Sequence, residues 1–224
     1  MSQPALTWTA AGTPVSARFD DPYYTDGAGL AEARHVFLSG NDLPARLRDG
    51  FHVAELGFGT GLNLLALLQA WRGPGTLRFT SFEAWPLSPA EMESALAPFG
   101  LSAAAALVAA WADSESAQPI RRFTLPGVAV EVHLGDARET LPGWPGRADA
   151  WFLDGFAPAR NPELWEAGLM AEVARHTVPG GTFATYTAAG AVRRALAEAG
   201  FAVERQPGFG RKRHMSAGRL GPRP

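Results

Sequence analysis

Short apolar runs alternate with segments of helical periodicity from residue 51 to the end of this 224-residue chain. Glycine, proline and acidic residues bound the apolar runs, which is typical of buried strands. Strands are predicted at residues 51–56, 77–82, 128–134, 148–153, 181–186, 201–205 and 211–217. Helices are predicted at residues 62–71, 89–97, 102–112, 162–176 and 188–199, with Ser88 and Ser102 as N-caps.

This alternation of strands and helices predicts an α/β fold with a doubly wound, Rossmann-like and mostly parallel sheet. The last two strands would form a hairpin that adds one terminal antiparallel strand. Residues 1–50 do not follow the same rhythm. We therefore expect an N-terminal extension (1–50) packed on a main domain (51–224).

The composition restricts the chemistry that the chain can perform. Cysteine is absent, which excludes disulfides, zinc–thiolate sites, iron–sulfur clusters and a thiol nucleophile. Lys212 is the only lysine, so neither a Walker A loop nor a Schiff-base lysine in a mid-chain pocket is possible. The five histidines have no metal-ligand spacing, and we expect no metal site.

The hydrophobic content of 46% and the mean hydropathy of −0.06 are typical of a soluble globular protein. The N-terminus lacks a basic segment followed by an apolar run, so no secretory signal is expected. Residues 94–112 are uncharged, but Pro98 and Gly100 interrupt them, which argues against a membrane span. The predicted location is the cytoplasm.

Charge is distributed unevenly along the chain. Residues 1–204 contain 14 arginines and 22 acidic residues, whereas residues 205–224 contain six basic residues and no acidic one. A basic C-terminal segment indicates an anionic partner such as nucleic acid. A solvated basic tail without a partner is the alternative.

A glycine-rich turn after the first predicted strand is the sharpest local signal. Gly57, Gly59 and Gly61 alternate with other residues, and Glu55 precedes them at the strand end. Glycine lets the backbone approach a ligand closely, and ligands of such sheets bind beyond the carboxyl ends of the strands. The spacing differs from the Gly-x-Gly-x-x-Gly dinucleotide fingerprint. A tight turn without a ligand is the alternative.

Acidic residues also follow three other predicted strands. Glu83 ends the second strand, where a carboxylate can accept both hydroxyl groups of a ribose. Asp136 follows the third strand, and Asp154 ends the fourth. Glu83 alone would also suit a nicotinamide cofactor.

Asp154 begins a rigid loop that contains Phe156, Pro158 and Arg160. The Asp154 carboxylate can accept a hydrogen bond from a substrate amine, and Phe156 can stack on a planar base. A loop in which Asp154 only caps the following helix is the alternative.

These motifs resemble those of class I S-adenosylmethionine methyltransferases, and together they resemble the methyltransferase domain of the MnmC family, which modifies the wobble uridine of tRNA. Ala84 with Trp85, and His214, depart from the family pattern. The segments that carry the resemblance cover nearly the whole chain in family order: residues 19–24, 29–32, 36–41, 55–63, 81–83, 149–162, 181–194 and 208–213.

The resemblance implies a class I fold for residues 51–224, S-adenosylmethionine as the cofactor, and N-methylation of 5-aminomethyl-2-thiouridine at the tRNA wobble position. It makes Asp154 the candidate catalytic residue, which would orient the amine and take its proton. The expected cofactor contacts are Asn41, Glu55, Gly57, Gly59, Gly61, Asn63, Glu83 and Asp136. The expected substrate or RNA contacts are Tyr24, Phe156, Pro158, Arg160, Arg211, Lys212 and Arg213, with Tyr23, Arg193 and Arg194 as further candidates.

The resemblance also makes the tRNA anticodon loop the expected partner. Many family members carry a C-terminal FAD-dependent oxidase domain, and this chain ends at Pro224 without room for one. A stand-alone methyltransferase, with a separate enzyme that supplies the aminomethyl-uridine, is therefore expected.

Three other functions remain open at this point. The chain could methylate a small amine or a protein side chain, although the basic C-terminal segment argues against this. A nicotinamide-dependent oxidoreductase is disfavoured by the glycine spacing. A non-catalytic RNA-binding module with the same fold is the third possibility.

Overall fold

The N-terminal segment forms a small antiparallel sheet and a helix before the main sheet begins. The computed structural model describes residues 6–115 and 118–222. The small sheet contains β1 (Leu6–Trp8), β2 (Pro14–Ser16) and β3 (Asp21–Pro22) in that order. Helix α1 (Gly29–Ala33) follows and continues as a wider π-type helix over Arg34–Ser39.

A mostly parallel sheet occupies the centre of the fold. Within the described residues its strands lie in the spatial order β10-β11-β9-β8-β4-β5-β7-β6. Strands β9, β8, β4, β5 and β7 are parallel, whereas β11 and β6 run antiparallel to their neighbours. The strands are β4 (His52–Leu56), β5 (Leu77–Glu83), β6 (Ile120–Leu125), β7 (Val128–Leu134), β8 (Ala148–Leu153), β9 (Thr177–Thr185), β10 (Phe201–Pro207) and β11 (His214–Leu220).

Helices cover both faces of this sheet, which explains why all five residues of β4 are buried. One core layer contains Val36 and Phe37 together with side chains of α2, α3 and α4, and the other contains side chains of α5, α6 and α7. No helix in the described part of the chain is long and apolar enough to cross a bilayer. The helices are α2 (Leu62–Ala70), α3 (Pro89–Leu96), α4 (Ala104–Asp113), α5 (Ala137–Thr140), α6 (Ala167–Arg175) and α7 (Gly190–Glu198).

The strand order confirms the predicted Rossmann-like sheet with a terminal antiparallel strand. From β4 the chain builds β5 and β7 on one side, and it then crosses to β8 and β9 on the other. The boundary between β4 and β8 is therefore the topological switch point, where ligands of such sheets bind. The carboxyl ends of β4, β5 and β8 meet at this boundary.

Four details differ from the sequence prediction. Strand β6 was not predicted, because Arg121 and Arg122 interrupt its apolar pattern. The 162–176 helix is broken at Glu166, whose extended backbone separates a short 3₁₀ turn from α6. Ser102 is not an N-cap, since α4 begins at Ala104. Residues 211–213 belong to the turn before β11 rather than to the strand.

The segment before residue 51 shares the core of the main sheet. The rings of Phe37 and Phe152 lie 5.5 Å apart between centroids. The hydroxyl of Tyr24 donates to the Ala95 carbonyl at 2.7 Å. The N-terminal segment therefore contacts β8 through Phe37 and α3 through Tyr24.

Replacing Ser88 with alanine should lower the free energy of unfolding by about 1 kcal/mol and the Tm by about 2–4 °C. Ser88 and Glu91 form a capping box at the start of α3, in which each side chain accepts a hydrogen bond from the other residue's backbone N–H. Ser94→Ala, on the exposed face of the same helix, is the matched control and should change stability by less than about 0.5 kcal/mol. Equal effects in urea titrations would contradict the capping role.

Candidate active site

The glycine turn after β4 passes so close to its neighbours that side chains do not fit there. Gly57, Gly59 and Gly61 have φ values of 86°, 51° and 78°, a region that favours glycine. A Cβ at Gly57 would overlap the carbonyl oxygen of Asp154. The turn is thus fixed against the carboxyl end of β8.

A cavity of about 970 Å³ opens beside this turn, between the ends of the strands and the N-terminal segment. Most of the residues predicted to contact the cofactor or the substrate line the wall of this cavity. The predicted residues on the wall are Tyr24, Gly57, Gly59, Asn63, Glu83, Asp136, Asp154, Phe156, Arg160 and Lys212. The predicted residues that do not line it are Asn41, Glu55, Gly61, Pro158, Arg211 and Arg213.

A single amide joins two carboxylates at the switch point. The Asn63 side-chain nitrogen donates to Oε1 of Glu55 at 3.0 Å and to Oδ2 of Asp154 at 2.7 Å. The second Glu55 oxygen accepts from the Ser81 hydroxyl at 2.8 Å. Glu55 therefore acts behind the cavity wall, where it positions Asn63, while Asp154 reaches the cavity itself.

Glu83 ends β5 and is held by backbone groups on both sides. Its Oε2 accepts from the Gly59 N–H at 2.8 Å, and its Oε1 accepts from the Trp85 N–H at 2.6 Å. The side chain lines the cavity although the residue is only 8% exposed. Each carboxylate oxygen keeps a further lone pair, so Glu83 can still accept hydrogen bonds from a ligand.

Burial raises the pKa of all three carboxyl groups. The pKa of Asp154 is raised to about 7 by loss of water, although the hydrogen bond from Asn63 lowers it. Burial likewise raises the pKa of Glu55 and of Glu83, against the hydrogen bonds that each accepts. At neutral pH Asp154 thus exchanges readily between its acid and its carboxylate form.

Tertiary hydrogen bonds hold the loop that follows Asp154. The Tyr186 hydroxyl donates to the Gly155 carbonyl at 2.7 Å, and the Ala157 N–H donates to Oδ2 of Asp21 at 2.7 Å. The Asp154 N–H donates to the Leu56 carbonyl at 3.1 Å, which continues the pairing with β4. The Asp154 carboxylate is therefore positioned by the backbone on either side of it.

Aromatic rings line the cavity next to this loop. Phe19 stacks on Phe156 with centroids 4.7 Å apart, and Tyr23 meets the edge of Phe156 at 5.1 Å. One face of Phe156 is thus already covered by Phe19. A planar ligand in the cavity can contact this three-ring wall.

On the wall near Tyr186 an ion pair is formed by residues from the two ends of the chain. The Lys212 ammonium donates to Oε1 of Glu32 at 2.8 Å and lies 4.0 Å from the centroid of the Tyr186 ring. Glu32 is 7% exposed, and its Oε2 accepts from the Thr25 N–H at 3.0 Å. Lys212 therefore lines the cavity while its side chain stays 43% exposed.

Several predicted contacts occupy other positions than expected. Asn41 is completely buried away from the cavity, where it bonds to the backbone of Phe37 and Trp151 and to Thr182. Asn41 therefore does not line the cavity beside which the other cofactor contacts were predicted. Asn41 instead connects the N-terminal segment to β8 and β9.

Two other predicted residues have local partners, and three lie off the cavity wall. Asp136 caps α5 and pairs with Arg138 at 2.6 Å, although it still lines the cavity. Arg160 lines the mouth of the cavity and pairs with Asp20 at 2.9 Å. Pro158 lies off the wall, and Arg211 and Arg213 are exposed in the turn between β10 and β11.

Sequence reasoning assigned no role to Glu32, Phe19 or Tyr186, all of which line the cavity. All three fall within segments of the family resemblance, but nothing local marks them. Glu32 resembles an ordinary helical glutamate until its burial is known. Within the described residues no group of three or more histidine or acidic side chains is arranged to hold a metal ion.

Comparison with known proteins places this site in a family. A family model described as S-adenosyl-L-methionine-dependent methyltransferase matches residues 101–220. The tRNA 5-methylaminomethyl-2-thiouridine biosynthesis bifunctional protein MnmC of Caulobacter sp. (strain K31) is 46% identical over 231 residues, which cover 95% of this chain and 38% of that protein. The protein of the same name from Ralstonia nicotianae is 46% identical over 213 residues, which cover 92% and 32% respectively.

A solved structure has the same fold. The structure of MnmC2 from Aquifex aeolicus superimposes with a TM-score of 0.80 at 24% identity and covers 100% of this chain and 74% of that one. The chain spans less than two fifths of the length of the curated relatives named above. These matches confirm the family resemblance inferred from the sequence and the fold class.

The free energy of unfolding of Asp154→Asn should exceed that of the parent by a margin that grows as the pH rises from about 4 to about 7. Folded Asp154 has a pKa of about 7 against an ordinary value of 3.8, so the folded state binds a proton that the unfolded state releases in this interval. The parent therefore loses stability there by up to about 4 kcal/mol, and the asparagine variant does not. Urea unfolding at a series of pH values measures the difference.

The control for this titration is Asp113→Asn, which removes an exposed carboxylate from the end of α4. Its unfolding profile should follow that of the parent across the same interval. If Asp154→Asn also follows the parent, Asp154 is not the raised carboxyl group that the burial indicates.

Proposed function

The chain belongs to a family of S-adenosyl-L-methionine-dependent methyltransferases, and we propose that it methylates the primary amine of 5-aminomethyl-2-thiouridine at the wobble position of tRNA. The observation that carries the proposal is the partly buried Asp154 carboxylate, which lines the cavity between the glycine turn and the aromatic wall. The product of this reaction, 5-methylaminomethyl-2-thiouridine, appears in the names of the MnmC relatives.

The cavity fits the family's cofactor on two grounds. Gly57 and Gly59 offer a wall of bare backbone, which a bulky ligand can approach closely. Glu83 offers negative charge, which suits a cationic sulfonium and not a pyrophosphate. When bound, the cofactor supplies an electrophilic methyl group whose bond to sulfur breaks as the new bond to nitrogen forms.

We assign the cofactor contacts by the hydrogen bonds that each residue can still accept. Glu83 would accept from the ribose hydroxyls, since both of its oxygens have free lone pairs. Asp136 would accept from the adenine amine next to its contact with Arg138. Glu55 and Asn63 would shape the end of the cavity nearest Asp154.

Asp154 would orient the amine and take its proton. A primary amine is mostly protonated at neutral pH and must lose a proton before nitrogen can attack. A carboxylate whose pKa is about 7 suits this task, because its proton affinity lies near the working pH. Alignment by the fixed loop would supply most of the remaining acceleration.

The aromatic wall would hold the modified base. Single-stranded RNA is commonly recognised through bases that leave the stack and lie against aromatic rings. Phe156, Tyr23 and Phe19 form such a surface beside Asp154. Tyr24 also lines the cavity, but its hydroxyl is bound to the Ala95 carbonyl, so its role is to shape the wall.

The anticodon loop would lie on the basic side of the site. Arg211 and Arg213 are exposed in the turn next to Lys212, and residues 205–224 contain no acidic residue. Arginine in this setting contacts RNA phosphates. A tRNA substrate also implies a cytoplasmic location, and a separate enzyme activity must produce the primary amine that this reaction consumes.

Asp154→Asn should lower kcat by about 10²–10⁴-fold and leave cofactor binding within a few-fold of the parent, since the loop and the glycine turn keep their contacts. The substrate is tRNA that carries 5-aminomethyl-2-thiouridine, and nucleoside mass spectrometry measures methylation. Calorimetry with S-adenosylmethionine and, separately, with NAD measures binding. Pro158→Ala, in the same loop but off the cavity wall, should keep kcat within about threefold.

Other outcomes separate the rival functions. Methylation of a free amine or a peptide without methylation of tRNA would replace the proposed substrate. Binding of tRNA without any methyl transfer would indicate an RNA-binding module. Retention of full activity by Asp154→Asn would contradict the role of that residue.

Arg211→Ala and Arg213→Ala should each raise KM for tRNA several-fold with little effect on kcat. Each phosphate contact that is lost should also reduce the slope of log affinity against log salt concentration by about 1. Filter binding at several salt concentrations measures the slope. Arg122→Ala, on the opposite edge strand β6, is the control and should leave the slope unchanged.

A further inference from the structure

Lys212 has a different environment from its two basic neighbours. Its ammonium contacts Glu32 at 2.8 Å and the face of Tyr186 at 4.0 Å, and all three residues line the cavity. Arg211 and Arg213 do not line the cavity. The turn therefore directs its lysine inward and leaves the two arginines for the outer surface.

The ion pair is built into the fold. Glu32 is 7% exposed, and its second oxygen accepts from the Thr25 N–H, so the carboxylate cannot turn towards solvent without losing this partly buried hydrogen bond. The backbone of the turn is closed by the bond from the Gly208 N–H to the Arg213 carbonyl. The adjoining strand is fixed to α1's extension by the contact of the His35 ring with the Pro207 carbonyl at 2.9 Å.

We propose that Lys212 and Glu32 are a pair of positioning residues that set the charge of the Asp154 carboxylate and so control removal of the proton from the substrate amine. The proposal rests on the proposed function, because it assigns these residues a part in that same reaction. It also replaces the expected phosphate contact of Lys212.

The charges around Asp154 explain why such a pair is needed. Glu32, Lys212 and Asp154 line the same cavity, and the Tyr186 ring that the Lys212 ammonium contacts donates through its hydroxyl to the Gly155 carbonyl, next to Asp154. In agreement with this arrangement, burial is the main cause that raises the pKa of Asp154, the Asn63 hydrogen bond lowers it, the Glu32 charge raises it and the Lys212 charge lowers it. Lys212 is the only lysine of the chain. The titratable, charged and hydrogen-bonding groups that act on Asp154 from the surrounding elements are Glu32, Glu55, Asn63, Glu83, Tyr186 and Lys212.

The balance of these charges decides whether Asp154 can accept a proton. The substrate ammonium loses one proton to a carboxylate oxygen of Asp154, and the electron pair of the broken N–H bond stays on nitrogen for attack. This transfer requires the ionised carboxylate. Loss of the Lys212 ammonium would shift Asp154 towards its protonated form, whereas loss of Glu32 would shift it towards the carboxylate.

If the pair acts in this way, removing Lys212 and removing Glu32 should shift the pH dependence of kcat/KM in opposite directions. In Lys212→Met the acidic limb of the kcat/KM profile should move to higher pH by about half a unit or more, and in Glu32→Gln it should move to lower pH by a similar amount. The Glu32→Gln/Lys212→Met double variant should return close to the parent. Lys212→Arg keeps the charge and should restore the parent's limb.

A titration without substrate tests the same pair independently of the reaction. NMR of protein with ¹³C-labelled aspartate carboxyl groups follows Asp154 directly, and Asp154→Asn identifies its signal. The midpoint should rise in Lys212→Met and fall in Glu32→Gln. If the parent does not methylate tRNA but these shifts appear, the proposed function fails and the electrostatic pair stands.

Arg213→Met is the matched control on the same turn. Arg213→Met should leave the Asp154 midpoint and the acidic limb of the kcat/KM profile in place, and it should reduce the salt dependence of tRNA binding. Lys212→Met should move the midpoint and the limb and leave the salt dependence unchanged. Shifts in the same direction for Lys212→Met and Glu32→Gln, or no shift in either, would overturn the proposal. Thermal unfolding of each variant is recorded, and if Lys212→Met does not fold, Glu32→Gln and Lys212→Arg decide the matter.

Discussion

The crowding of buried carboxyl groups where β4, β5 and β8 end is the constraint on which the site depends. Glu55, Glu83 and Asp154 lose most of their water here, and each is held by neutral donors: an amide, a hydroxyl or backbone N–H groups. Such donors stabilise negative charge without cancelling it. The carboxyl groups of Glu83 and Asp154 on the cavity wall agree with the cationic sulfonium cofactor of the family.

The central strands were predictable from the sequence because both of their faces are buried, which selects apolar residues at most positions. Strands β4 and β8 are covered on both faces, so each appears as a mainly apolar run in which His52, Glu55 and Asp149 are the polar exceptions. Strand β6 lies at the edge, where Arg121 packs on Trp111 and Arg122 pairs with Glu131. Its pattern of polar residues does not distinguish a strand from a loop, and only pairing with β7 decides its structure.

The candidate site was predictable where a residue follows a strand and not where its role depends on a distant partner. Glu83 and Asp154 are located by the ends of β5 and β8 alone. Asn41 bonds to Thr182, 141 positions away, and no local pattern indicates whether such an amide faces a ligand or the core. Lys212 likewise lies among basic residues, and only the burial of Glu32 reveals the direction of its side chain.

The contact between Glu32 and Lys212 joins positions 180 residues apart. During synthesis the glycine turn, Glu83 and Asp154 leave the ribosome well before the hairpin of β10 and β11 does. Contacts of such long range form late in folding, because the chain must first close a large loop. The cavity wall is consequently completed only after residue 212 has been synthesised. A nascent chain therefore carries the acidic residues of the cavity before it carries Lys212, which pairs with Glu32.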